Sequence, residues 1–103
     1  MAWKFDESTI ADHKVTDETA FPADYKVILF NDDFTTKDFV VDILVTVFHK
    51  NVSAAVALME TVHKNGAAVV GVYAFDIAST LADRVVKDAR NQGFPLRCEL
   101  EVA

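Results

Sequence analysis

The pattern of apolar and polar positions predicts two elements in the first half of the chain. Residues 25–30 form a short apolar run, which predicts a strand buried on both faces or nearly so. Residues 36–49 carry apolar side chains at helical spacing, which predicts a helix with one wide apolar stripe. The members of that stripe are Phe39, Val40, Ile43, Leu44, Val47 and Phe48. Thr35 or Thr36 is the expected N-cap of this helix, because a hydroxyl can accept a hydrogen bond from its first turn.

A second helix is predicted over residues 53–64. Its apolar face consists of Ala55, Leu58, Met59 and Val62. Asn51 and Ser53 suit the start of this helix. The dipeptide Asn65-Gly66 predicts an end in the left-handed conformation.

The remaining pattern predicts a strand, a helix and a final strand. Residues 67–74 form the second apolar run, in which Gly71 indicates a bulge or a close approach of backbone. Residues 76–91 have helical spacing, with Ile77, Leu81, Val85 and Ala89 expected to face inward. Apolar and charged residues alternate after Pro95, which predicts a half-buried last strand.

The resulting order, β-α-α-β-α-β, predicts a single α+β domain over residues 22–103. We expect a small three-stranded antiparallel sheet with three helices packed on one of its faces. Residues 1–21 hold neither period, and we expect them to form a mobile N-terminal arm.

Composition and charge exclude several classes of protein. The chain of 103 residues has a net charge of −6, which argues against nucleic acid or an anionic membrane as the partner. It contains no apolar run of membrane-spanning length and no signal-peptide core. Its only cysteine, Cys98, rules out an internal disulfide and suits a reducing compartment. We therefore expect a monomeric protein of the cytoplasm.

Candidate chemistry concentrates at Asn31-Asp32-Asp33, where the first strand passes into the first helix. Adjacent carboxylates diverge in extended chain, so Asp32 and Asp33 do not form a facing pair. A metal site would draw on these two residues, His63 and His49, but no recognised ligand spacing is present. No phosphate-binding loop is present either, and no cofactor is expected. His63 lies near the end of the second helix, where a histidine is more often solvated than a ligand.

Three segments of the chain resemble the ClpS family of N-degron adaptors. They are YKVILFNDDFTTKDFVVDILVTVFHK, ALMETVHKNGAAVVGVYAFDIAST and FPLRCELEVA. The family typically reads like NDDYTPMxFV, LMxxVHxxG, GVYTxEIAETK and PLxCxxE. The resemblance covers about residues 22–103 in register, and several motifs in a fixed order make it specific.

The resemblance implies a function and a set of site residues. Members of the family are adaptors rather than enzymes: they bind proteins that begin with Leu, Phe, Tyr or Trp and deliver them to the unfoldase ClpA, or ClpC, for degradation by ClpP. By resemblance, Asn31, Asp33 and His63 meet the substrate's α-amino group, and Asp32 and Thr35 lie beside the peptide backbone. The implied side-chain pocket consists of Leu29, Phe30, Thr35, Lys37, Val40, Met59, Val62 and Leu96.

The chain departs from the family pattern at two places. Lys37 stands where most members have a methionine that limits which side chains enter the pocket, so specificity is expected to be shifted or narrowed. In the third helix, Ala74 replaces a capping threonine, Asp76 replaces a glutamate and Leu81 replaces a lysine. By resemblance, Asp76 and Leu81 occupy positions that dock on the N-terminal domain of the unfoldase; packing of Leu81 in the core is the alternative.

Two other interpretations remain open from the sequence. One is a small metal-dependent hydrolase that uses Asp32, Asp33 and His63. The other is a degenerate paralogue that binds the unfoldase but no degrons, which only Lys37 favours.

Overall fold

The computed structural model of the chain describes residues 23–103, so the predicted arm over residues 1–21 lies outside the described residues. Three strands and three helices follow one another in the predicted order β-α-α-β-α-β. They are β1 (Asp24–Phe30), α1 (Lys37–Thr46), α2 (Val52–Asn65), β2 (Ala67–Ala74), α3 (Phe75–Asn91) and β3 (Arg97–Val102).

The sheet is antiparallel throughout, with β1 in the centre between β2 and β3. Its helix-covered face is apolar, and Leu29 of β1 is paired there with Ala68 on one side and Cys98 on the other. The opposite face is open, since Val69, the partner of Ile28, is 45% exposed. β1 was expected to be buried on both faces or nearly so, and its residues 25–30 alternate between buried and half-buried, because the helices cover only one side of this small sheet.

A β-bulge interrupts the pairing of β1 with β2, as the glycine in β2 predicted. Val27 pairs with Gly71, whereas the next residue, Ile28, pairs with Val69, which leaves Val70 as the extra residue. A Cβ atom on Gly71 would lie 2.7 Å from the Tyr73 hydroxyl. The close approach at this glycine therefore involves a side chain on its own strand.

The termini of α1 and α2 are fixed by local hydrogen bonds. The Thr36 hydroxyl accepts from the Phe39 N–H at 3.1 Å, so Thr36, not Thr35, caps α1. The Asn51 side chain caps α2, and Gly66 ends that helix with a φ of 90°. The predicted extension of α1 to residue 49 is wrong: the helix ends at Thr46, and His49 has a positive φ. The apolar stripe predicted a longer helix because its last two residues, Val47 and Phe48, remain buried in the turn that follows α1.

The third helix packs on the sheet through small side chains. Its buried residues are Ala78, Ala82, Val85, Val86 and Ala89. The prediction that Ile77 faces inward is wrong, because its side chain is 51% exposed, and Leu81 is only partly buried against the core. Alanine at positions 78 and 82 lets the helix lie close to the strands. The face of α3 that packs on the sheet is therefore the one that carries these alanines, and the larger side chains of Ile77 and Leu81 lie beside it.

Candidate functional site

The loop over residues 31–36 joins β1 to α1 and begins beside the end of α2. The Asn31 N–H donates to the Gly66 carbonyl at 2.8 Å, directly after the pairing of Phe30 with Ala67. Because Gly66 ends α2, this hydrogen bond fixes the start of the loop next to the last turn of that helix. His63 belongs to that turn, so strand pairing brings it to Asn31.

A cavity of about 270 Å³ opens between this loop, α1 and α2. Its polar lining comes mainly from the loop and from His63, and its apolar lining comes from the helices. The nine lining residues are Asn31, Asp32, Asp33, Thr35, Lys37, Val40, Met59, Val62 and His63. All nine are among the site residues expected from the sequence, so the fold brings the greater part of that set around one cavity.

Three residues of the expected side-chain pocket do not line this cavity. Leu29 and Leu96 are 0% and 1% exposed and belong to the hydrophobic core. Phe30 alternates with Leu29 along β1, so it lies on the other face of the sheet. Its ring stacks there under the Arg97 guanidinium, whose carbon is 4.4 Å from the ring centroid.

The two aspartates of the loop are used differently. One Asp32 carboxylate oxygen accepts from the Phe34 N–H at 2.8 Å and from the Thr35 N–H at 2.7 Å. The other accepts from the Thr35 hydroxyl at 2.7 Å. Asp33 is exposed and makes no hydrogen bond or ion pair with any residue of the described part of the chain. Asp32 is therefore engaged within the loop, whereas the Asp33 carboxylate is free to accept.

Hydrogen bonding lowers the pKa of Asp32. Partial burial by itself would raise that pKa, but the Thr35 hydroxyl and the N–H groups of Thr35 and Phe34 stabilise the carboxylate, and the positive charge of Arg90 adds to this. The outcome is a pKa below the ordinary 3.8. Arg90 also donates from Nη1 to the carbonyls of Phe94 and Leu96 at 2.8 and 3.0 Å. Sequence reasoning missed Arg90, because no local pattern connects the end of α3 with this loop.

The other polar side chains of the cavity have unused hydrogen-bonding capacity. Within residues 23–103, the side chains of Asn31, Lys37 and His63 make no hydrogen bond or ion pair. An amide oxygen, a carboxylate and an imidazole nitrogen can each accept a hydrogen bond. The cavity therefore joins several free acceptors with a small apolar surface.

The remaining reactive side chains do not form a second site. Burial, with smaller contributions from the charges of Glu99 and Asp83, raises the pKa of the Cys98 thiol to about 12. Cys98 is 2% exposed, so its thiol is buried in the core. In the described part of the chain, no group of three or more His, Cys, Asp or Glu side chains could hold a metal ion. No helix within residues 23–103 combines the length and the apolarity needed to cross a membrane.

The residues expected to dock on an unfoldase lie at the start of α3. Asp76 is exposed in its first turn, and Ala74 at the N-cap makes no side-chain hydrogen bond. Ile77 beside Asp76 is among the most exposed large apolar side chains of the described residues. Ala78 and Ala82 are four residues apart, so they lie on one face of α3. This spacing could have predicted that the small side chains face the sheet and that Ile77 lies at the surface.

Comparison with known proteins identifies a family model and relatives that share one description. The model of the family described as "ATP-dependent Clp protease adaptor protein ClpS" matches residues 20–99. The chain is 50% identical over 80 residues to the ATP-dependent Clp protease adapter protein ClpS of Treponema denticola, covering 78% of this chain and 79% of that protein. It is 47% identical over 95 residues to the ClpS of Acetivibrio thermocellus, covering 92% of this chain and 96% of that protein.

A solved structure is similar as well. Agrobacterium tumefaciens ClpS2 bound to L-phenylalaninamide matches with a TM-score of 0.78 and 38% sequence identity. The match covers 81% of this chain and 100% of that one. Similarity of fold and of sequence therefore extends over most of residues 23–103.

Proposed function

The chain belongs to the ClpS family of ATP-dependent Clp protease adaptors, and from this premise we propose that it binds proteins by a free, bulky hydrophobic first residue. It is a non-catalytic adaptor by family. The proposed substrates begin with Leu, Phe, Tyr or Trp, and the proposed recipient is a Clp unfoldase, ClpA or ClpC, that feeds ClpP. The ligand of the similar ClpS2 structure, L-phenylalaninamide, has a free α-amino group next to an aromatic side chain, which supports this class of substrate.

Recognition of the α-amino group is assigned to Asn31, Asp33 and His63. An α-ammonium carries three N–H donors and a positive charge, so a selective site needs several convergent acceptors. The observation that supports the proposal is that these three side chains line one cavity and have no other partner in the described residues. His63 also lies in the last turn of α2, where the partial negative charge of a helix C-terminus favours a cation.

The substrate's first side chain is assigned to the apolar part of the cavity. Val40, Met59 and Val62 form this part, and they are 6%, 8% and 3% exposed. A volume of about 270 Å³ is at or below the small end of ligand sites, which span roughly 300–1,000 Å³, so it suits one residue better than a long segment. Burial of one large apolar side chain contributes about 1.5–3 kcal/mol.

Lys37 is proposed to alter which first residues are accepted. It lines the cavity at the first position of α1, and its ammonium has no carboxylate partner in the described residues. A lysine stem can cover apolar surface while the charge stays in water, and that charge repels a second cation nearby. Specificity is therefore expected to be shifted or narrowed relative to a methionine at this position.

The unfoldase is proposed to bind at the start of α3, away from the residues that line the cavity. Asp76 and Ile77 are exposed there, and Leu81 lies partly buried one turn further on. In a degradation assay with the unfoldase and ClpP, Asp76→Arg should slow delivery of a reporter that begins with Phe, yet leave the affinity for a Phe peptide unchanged. Equal delivery by the variant and the wild type would remove Asp76 from the docking surface.

The proposed substrate class is tested with matched peptides. A peptide that begins with Phe and has a free α-amino group should bind without added metal, with a Kd of about micromolar or tighter. The acetylated peptide loses the charge and leaves the acceptors unpaired, which costs about 1–3 kcal/mol, or roughly a 5- to 150-fold weaker Kd. A peptide that begins with Gly controls for the contribution of the side chain. Equal affinity for the free and acetylated peptides would refute recognition of the amine, and a metal-dependent hydrolytic activity in place of binding would favour a hydrolase.

A further inference from the structure

The middle of the loop over residues 31–36 is exposed, so packing against the core does not hold it in place. Its first residue is anchored by the hydrogen bond from the Asn31 N–H to the Gly66 carbonyl at 2.8 Å, and its last by the Thr36 cap of α1. Between these anchors Asp33 is exposed, and the side chain of Phe34 is 75% exposed. Some other interaction has to fix the backbone that carries the free acceptors.

The Asp32 carboxylate supplies that interaction. Its three hydrogen bonds, at 2.7–2.8 Å, reach the N–H groups of Phe34 and Thr35 and the Thr35 hydroxyl. These hydrogen bonds therefore join the residue before Asp33 to the two residues after it. A carboxylate that accepts backbone N–H groups makes stronger hydrogen bonds than a neutral acceptor. Both of its oxygens already have donors, in contrast to the free carboxylate of Asp33.

We propose that Asp32 is a positioning residue, which holds the loop in the shape that presents Asn31 and Asp33 to the substrate amine, and that it does not itself neutralise the amine. The role of Asp32 in substrate binding rests on the proposed function, whereas its hydrogen bonds within the loop do not. It assigns different tasks to two neighbouring aspartates: Asp33 provides charge to the ligand, and Asp32 provides geometry to the loop.

Two substitutions at position 32 separate geometry from charge. In Asp32→Asn the amide oxygen can still accept from Phe34 and Thr35, and the amide nitrogen can donate to the Thr35 hydroxyl. Asp32→Ala removes every one of these hydrogen bonds. The affinity for a Phe peptide with a free amino group should fall about fivefold or more in Asp32→Ala, as for the loss of a capping side chain. Asp32→Asn should recover most of that affinity, to within about threefold of wild type.

Asp33→Asn is the matched comparison, because it removes the same charge from the adjacent residue. It should weaken binding and reduce its dependence on salt, since screening acts on the charge that meets the amine. In Asp32→Asn the dependence on salt should stay close to that of the wild type.

Hydrogen exchange of the Phe34 and Thr35 amides gives a readout that needs no peptide. Both amides should be protected in the wild type, Asp32→Asn and Asp33→Asn, and should exchange faster in Asp32→Ala. If the wild type shows this protection but binds no Phe peptide, the proposed function fails and the loop geometry stands. The positioning role is overturned if Asp32→Asn loses as much affinity as Asp32→Ala while its amides stay protected, or if Asp32→Ala binds like wild type.

Discussion

Replacement of Gly71 by alanine should destabilise the fold by about 1–2 kcal/mol. The added Cβ would lie 2.7 Å from the Tyr73 hydroxyl oxygen and 2.9 Å from two carbons of its ring, whereas ordinary contacts are 3.4–4 Å. Tyr73 is half-buried and pairs with the buried Tyr25 in the adjacent strand. The ring therefore has to move against its neighbours to admit one methyl group.

Two effects of opposite sign determine this magnitude. Overpacking typically costs about 1–3 kcal/mol. Alanine also restricts the unfolded chain, which stabilises the fold by about 0.4–1 kcal/mol where its conformation is allowed. The net loss corresponds to a decrease in Tm of roughly 4–8 °C per kcal/mol for a domain of this size.

Urea unfolding of a double-mutant cycle identifies the cause. With Tyr73→Leu in the background, the obstructing ring is absent, so Gly71→Ala should become neutral or slightly stabilising. Gly66→Ala is the control: its backbone φ is 90°, and a Cβ there would meet no atom within 4 Å. Its cost comes from backbone strain, so Tyr73→Leu should not relieve it. Equal destabilisation by Gly71→Ala in both backgrounds would refute the steric explanation.

Three further predictions concern the cavity and the core. Lys37→Met should change the order in which peptides beginning with Phe, Tyr, Trp, Leu, Ile and Val bind; an identical order in a fluorescence-anisotropy titration would show that Lys37 does not determine specificity. His63→Ala should weaken the binding of a Phe peptide about fivefold or more, because the amine loses one acceptor. His63→Gln keeps an amide oxygen that can accept, so it should lose less affinity than His63→Ala, and unchanged affinity of His63→Ala would contradict an acceptor role for His63. Because the lowered pKa of Asp32 lies below 3.8, any stability that Asp32 contributes is lost only as the pH falls through that lower value. Because burial raises the Cys98 pKa from 9.0 to about 12, iodoacetamide at about pH 8 should label this thiol only after unfolding in urea; rapid labelling of the folded chain would show that the site opens.

Local chemistry was enough to predict both ends of α2 and to restrict the N-cap of α1 to Thr35 or Thr36. The hydroxyl of Thr36, the amide of Asn51 and the missing side chain of Gly66 act on backbone groups within a few residues, so their effect is readable from neighbouring positions. The apolar runs of the strands carried similar information. Resemblance to a family then supplied the residues that line the cavity, including His63.

Only the tertiary structure decided which faces are covered and which distant side chains meet. The apolar spacing of α3 suggested that Ile77 points inward, but the sheet accepts Ala78 and Ala82 instead, because close packing of backbones depends on both surfaces. The local pattern does not distinguish Asp32 from Asp33, which only the resemblance assigned to different contacts, and the structure shows that Asp32 alone is hydrogen-bonded within the loop. His63 and Asn31 line one cavity because β2 pairs with β1 and places the end of α2 at the end of that strand. Strand pairing is a long-range interaction, so its consequences for the site are not written in the pattern of either segment alone.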